Sequence, residues 1–201
     1  MSNTPYFYYT GCIQVQPFYF IFALIMKRVL YILLVVCSLL AGCTKAEPTR
    51  TSGIDTIDNI TYVSSTYFVY GFLFSEAKLV PTYPSPGPDI VLFVNIDTLP
   101  HRLTLQANSL DPSFFKVGDY DDESAAISAF DNLKTVSVTQ WSEMADPLIT
   151  NQVWIYRSGT GNYAKVRIIN TVNETRQGIP YGECTFKWVY QPNGTSTFPD
   201  K

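Results

Sequence analysis

The stretch "QVWIYRSGTGNYAKVRIINT", Gln152 to Thr171, sets two runs of β-branched and aromatic residues on either side of a loop containing Gly159 and Gly161. Side chains of this kind pack well on a pleated strand, whose successive residues point to opposite faces, and the glycines between the runs let the chain reverse. A hairpin is predicted. "ECTFKWVYQ", Glu183 to Gln191, puts Cys184, Phe186, Trp188 and Tyr190 on one face, with Thr185, Lys187 and Val189 on the other. It reads as a last strand with one packed face.

The same reasoning runs upstream. "YVSSTYFVYGFLF", Tyr62 to Phe74, carries strand formers on both faces, so it reads as a strand buried on both sides or bent at Gly71. Ser75 to Lys78 then form a hairpin loop leading into Leu79 to Thr82. "YPSPGPD", Tyr83 to Asp89, has three prolines in seven residues and excludes a regular element. "DIVLFVNID" and "RLTLQAN", joined by the turn Thr98 to His101, form a second hairpin, and "KTVSVTQW", Lys134 to Trp141, alternates like a half-exposed strand. One helix is predicted, over about 121–133, because Ala126, Ile127, Phe130 and Leu133 recur at three- and four-residue spacing. Asp119, Asp121, Asp122 and Glu123 crowd its start, where carboxylates cap free amides and complement the dipole. Seven or eight strands and one helix, with no strand-helix-strand alternation, predict a mainly β, antiparallel single domain.

The N-terminal part has another character. From Met26 the chain shows a short positive region, Lys27 and Arg28, then an apolar run of eleven residues, Val29 to Leu39. That run is too short to span a bilayer and reads as a secretory leader. It ends in Leu40-Ala41-Gly42-Cys43, which resembles the lipobox of bacterial lipoproteins, and this implies cleavage before Cys43 and acylation of its thiol. Residues 1–25 are read as an over-called translation start, 26–42 as a lipoprotein signal peptide, 43–56 as a flexible tether and 57–201 as the β-rich globular domain. The alternative is a membrane-spanning helix from Phe18 to Leu40. It would bury Lys27 and Arg28 near its centre, at about 2.5–3.5 kcal/mol each.

Composition then removes whole classes of function. With Lys27 and Arg28 lost in the leader, 12 basic side chains remain against 17 acidic ones, a formal balance of −5. Such a domain offers no basic face to a phosphate backbone, so nucleic acid is excluded as a partner. Of four cysteines, Cys184 alone stays in the domain as a free thiol, so no internal disulfide supports the core. His101 is the single histidine, which excludes metal sites built on several histidines. No Gly-x-Ser-x-Gly elbow accompanies it, and it is expected in an exposed turn. Cys184 is expected as a small core residue. The carboxylates of "DYDDE", Asp119 to Glu123, fail the calcium-loop pattern, since Ser124 stands where glycine is needed and Phe130 where glutamate is needed. An irregular calcium site is the alternative to helix-start charges. "SGTGNY", Ser158 to Tyr163, lacks the Lys-Ser/Thr ending and the following helix of a phosphate loop, and reads as a hairpin loop. The aromatic residues are expected to fill the core, the alternative being a groove for a small planar ligand. No catalytic residue and no metal ligand is assigned.

The lipobox with this β-rich body resembles the cell-envelope lipoproteins of Bacteroidetes. Asp55-Thr56-Ile57 and Asp97-Thr98-Leu99 also resemble the O-glycosylation acceptors of that envelope. More narrowly, "VWIYRSGTGNYAKVRIINT" followed by "ECTFKWVY" resembles the C-terminal strands of the HmuY-like haem-binding lipoproteins, through Ile155, Arg157, Gly161, Tyr163, Lys165, Ile168, Phe186 and Tyr190. The resemblance implies a β-rich fold that captures haem between two axial side chains and passes it to an outer-membrane receptor. In the mature chain His101 and Met144 are the only His and Met, so they are the candidate haem ligands, although neither lies in the matched stretch. The expectation is a non-enzymatic, lipid-anchored binding or surface module of the outer membrane. Haem capture is the first alternative and an envelope hydrolase the second.

Overall fold

The computed structural model describes residues 50–59, 69–83, 85–108 and 112–199. The leader, Cys43, the alternative span Phe18–Leu40 and most of the Tyr62–Phe74 run lie outside the described residues. Ten strands and one helix follow in order: β1 Ser52–Asp58, β2 Tyr70–Leu73, β3 Lys78–Pro81, β4 Ile90–Asn95, β5 Arg102–Ala107, β6 Phe114–Asp119, α1 Glu123–Asn132, β7 Met144–Ala145, β8 Gln152–Arg157, β9 Tyr163–Arg176 and β10 Ile179–Gln191. They form two five-stranded antiparallel sheets, β1-β10-β9-β8-β6 and β3-β2-β4-β5-β7. The chain is mainly β with a single short helix among the described residues, as its alternation requires.

The alternating faces explain why the two sheets meet. Cys184, Phe186, Trp188 and Tyr190 of β10, with Val166 and Ile168 of β9, pack against Phe72 and Phe74 and against Ile90, Leu92, Leu103 and Leu105 of β4 and β5. Phe72 sits at the centre, its ring 5.4 Å from that of Phe186 and 5.2 Å from that of Trp188. Edge-on and tilted rings at this spacing add to the burial of their apolar area. Gly182 is required here, because a Cβ in its place would strike the side chains of Leu103 and Val94.

The first sheet is covered on its other face as well. Phe130 of α1 packs on Val153 and Val189, with Val117, Tyr120, Ala129 and Leu133 around it. Residues 164–168 of β9 are therefore all buried, and Lys165 and Arg167 lie beneath the helix. Lys165 Nζ donates to the carbonyls of Phe130 at 2.7 Å and Leu133 at 2.9 Å, closing the C-terminal end of α1 with a cation where the dipole favours one. At the other end the Asp122 carboxylate accepts from the amide of Ala125 at 2.8 Å. The helix thus falls within the predicted span, with Ala126 and Phe130 buried; Ile127, at 37% exposure, faces solvent instead.

Three expectations need correction. The domain starts earlier than Ile57: β1 begins at Ser52, inside the stretch read as tether, and pairs with β10 from Ser52↔Val189 to Asp58↔Glu183. Its small polar residues look like a linker, yet an edge strand with a half-exposed face tolerates them. Lys134–Trp141 is not a strand. Its partial burial at Val136 and Val138 follows the expected alternation, but its pairing amounts to an isolated bridge, Thr135↔Thr197, flanked by the bonds from the amide of Val136 to Ser196 O and from the amide of Phe198 to Lys134 O. Ten strands stand among the described residues against the seven or eight expected, the additions being β1, β6 and the two-residue β7. β9 and β10 also run on past the sheet as an arm that turns at Gln177 and Gly178, both at positive φ (51° and 80°). Two such residues make the reversed turn that matches strand twist, and glycine adopts it without strain.

Candidate functional site

The register brings several strand ends together. β8 ends with Arg157 opposite Tyr163, where β9 begins; β10 ends with Gln191 opposite the same residue; β6 begins with Phe114 opposite Tyr156. The β8–β9 loop and the segment entering β6 therefore sit side by side. Between them lies a cleft of about 310 Å³ lined by Pro112, Ser113, Arg157, Ser158, Gly159 and Gly161.

Its chemistry is that of a donor-rich site. The Arg157 guanidinium lies 4.5 Å from the centre of the Trp141 ring, and Trp141 stacks on Tyr163 at 6.2 Å. One guanidinium nitrogen, Nη2, donates to Pro112 O at 3.0 Å. A ring below and a carbonyl at one edge hold a planar fork whose other N–H groups have no acceptor among the described residues. The loop is held by the bond from Gly161 N to Ser158 O at 2.9 Å and by Ser158 Oγ, which accepts from Asn162 N at 3.1 Å. The amides of Gly159 and Thr160 make no hydrogen bond among the described residues. Ser113, whose residue is 1% exposed, also lines the cleft.

Beneath this end, inside the sandwich, Asp89 accepts from the amide of Phe74 at 2.8 Å and from Tyr156 Oη at 3.2 Å. Burial pushes the Asp89 carboxyl above its ordinary value, with the two hydrogen bonds pulling the other way. Burial first, and then the charge of Asp89, push the Tyr156 hydroxyl up.

The residues singled out from sequence are scattered. Cys43 lies outside the described residues. His101 is half-buried at the β4–β5 turn, its Nδ1 3.0 Å from Thr98 O, and its own carbonyl accepts from Asn173. Met144 is 40% exposed beside Gln106, whose Nε2 donates to the Met144 sulfur at 3.2 Å. Five residues of β5 separate Gln106 from His101, roughly 17 Å at the rise of a strand. The structure does not bring the two candidate haem ligands together on one iron. Cys184 is fully buried in the core. The charges of "DYDDE" cap and flank α1, and no group of three or more His, Cys, Asp or Glu is gathered for a metal ion among the described residues. No helix among the described residues is long and apolar enough to cross a membrane.

The cleft escaped the sequence because Ser113 and Ser158 are far apart along the chain and meet only through the β6–β8 pairing. The stretch "SGTGNY" was the one available signal, and its two glycines already marked the loop. Neither a protein-family model nor a characterised protein matches the chain.

Proposed function

We propose that this is a lipid-anchored, non-enzymatic binding module of the bacterial outer membrane, with the Arg157 cleft as its ligand site. One observation carries the reading: the lipobox Leu40-Ala41-Gly42-Cys43 is followed, after eight intervening residues, by β1, the first described strand of a β-sandwich. A lipid on Cys43 would tether this domain to the bilayer with little free chain between them.

Binding is favoured over turnover by what the titratable groups are doing. The Cys184 thiol is raised by burial and cannot reach solvent; His101 is held in a turn by Thr98; the half-buried Asp89 is tied to the amide of Phe74 and the hydroxyl of Tyr156. The donors of the cleft, by contrast, face an opening. Labelling with radioactive palmitate and fractionation test the anchor: the wild type carries label in the membrane fraction, and C43A loses both. An unlabelled wild type that partitions like C43A would sink the anchor. Turnover of an envelope polymer by the wild-type protein, lost on replacing one carboxylate, would restore the hydrolase alternative.

A further inference from the structure

We infer that the cleft takes the phosphate group of an anionic lipid headgroup, so that the domain grips the bilayer to which Cys43 ties it; this rests on the lipid-anchor reading above. The first argument is chemical. A guanidinium fork whose other N–H groups have no acceptor among the described residues, the Gly159 amide without an acceptor among them, and the side chain of Ser113 line one cleft. Planar forks and unpaired amides suit tetrahedral oxyanions, which accept several hydrogen bonds at once.

The second argument is positional. β1 starts at the same end of the sheet as the cleft: Ser52 stands opposite Val189, Thr51 O accepts from Tyr190 N, and Gln191 stands opposite Tyr163. Three strand spacings, roughly 14 Å, separate β1 from β8. The eight residues Thr44–Thr51 reach at most about 29 Å. The cleft therefore lies within reach of the headgroups of the leaflet that holds the lipid. Trp141 and Tyr163, amphipathic rings stacked beside Arg157, are the side chains that settle at a membrane–water boundary.

The test uses the full chain in micelles of an uncharged detergent, with tryptophan fluorescence as the readout, because Trp141 touches Arg157 while Trp154 and Trp188 are buried. Dihexanoyl-phosphatidylglycerol is titrated in one arm and inorganic phosphate in the other. The headgroup should give a saturable change, weakened about tenfold or more by R157Q, which removes a charged fork, and about two- to threefold by S113A. S113A keeps the test alive if R157Q alters the fold by circular dichroism. Equal affinity for inorganic phosphate would overturn the lipid source and leave a soluble phosphate ester as the ligand. No saturable change, or one that both variants retain, would overturn the site altogether. Failure of the anchor looks different: C43A would fractionate like the wild type while the Arg157-dependent response stays intact.

Discussion

Lys165 Nζ, carried by the third residue of strand β9, donates to the carbonyl oxygen of Phe130 at 2.7 Å, so a cation rooted in the central sheet closes the helix packed above it. The same ammonium lies 4.7 Å from the Phe130 ring and 5.5 Å from that of Phe198. Replacing it by methionine keeps the apolar stem and leaves the carbonyls of Phe130 and Leu133 without their charged donor. K165M should lower stability by about 2–3 kcal/mol, read as a shifted urea midpoint at unchanged slope. A loss below about 0.5 kcal/mol would mean that water replaces the ammonium at both carbonyls.

Asp89 sets a pH dependence whose sign follows from its surroundings. Its carboxyl is raised in the folded protein, by burial before anything else, so the folded state holds this proton more tightly than the unfolded one. The stability it contributes is complete below the ordinary value of 3.8 and is lost as pH rises through the raised value. D89N does not titrate. The stability of wild type minus that of D89N should therefore fall as pH is raised above 4 and then level off, measured by urea unfolding across pH 4 to 7. A difference that rises over this interval would show that the bonds from Phe74 and Tyr156 outweigh burial.

Cys184 tests the integrity of the core. It is fully buried, and burial pushes its thiol well above the ordinary value, so both access and ionisation oppose reaction. A thiol reagent such as a disulfide dye should modify it only at the rate of unfolding in buffer and at once in concentrated denaturant. Rapid modification of the native domain would place a local opening at β10.

Haem binding through His101 and Met144 is the alternative on which the geometry bears most directly. The two sit about five strand residues apart along β5, and Met144 is engaged by Gln106. Titration of the protein with haemin should give no sharp six-coordinate Soret band, and H101A and M144A should leave any spectrum unchanged. A six-coordinate spectrum abolished by both would require β7 to move away from β5 on loading.

What could be read in advance follows from how local the cause was. The helix was readable because Asp122, Ala126 and Phe130 are set by short-range rules, capping and a period near 3.6. β10 was readable because four large side chains alternate on one face. β1 was not, since Ser52, Gly53 and Asp55 are residues of turns, and what makes them a strand is the partner β10, more than a hundred residues away. Lys134–Trp141 erred in the opposite sense, having the alternation without a neighbouring strand. β9 hid a second kind of non-local fact. Lys165 and Arg167 look like its solvent side, and they are buried because a helix from another part of the chain lies over them. The Arg157 cleft shares this origin, since each lining segment is unremarkable until β6 pairs with β8.

The layering of helix on sheet on sheet has a consequence in time as well as in space. Strand β10 is flanked by β1 and β9, faces the second sheet with Phe186 and Trp188, and meets the helix layer through Val189, so its amides from Cys184 onward open only when the whole domain opens. At the tip of the arm, residues 173–179 are all exposed and pair with no third strand among the described residues. Hydrogen exchange along one continuous strand should then run from seconds at Ile179 to the slowest class in the protein at Trp188. One hairpin would thus serve as fringe at its tip and as keel at its root.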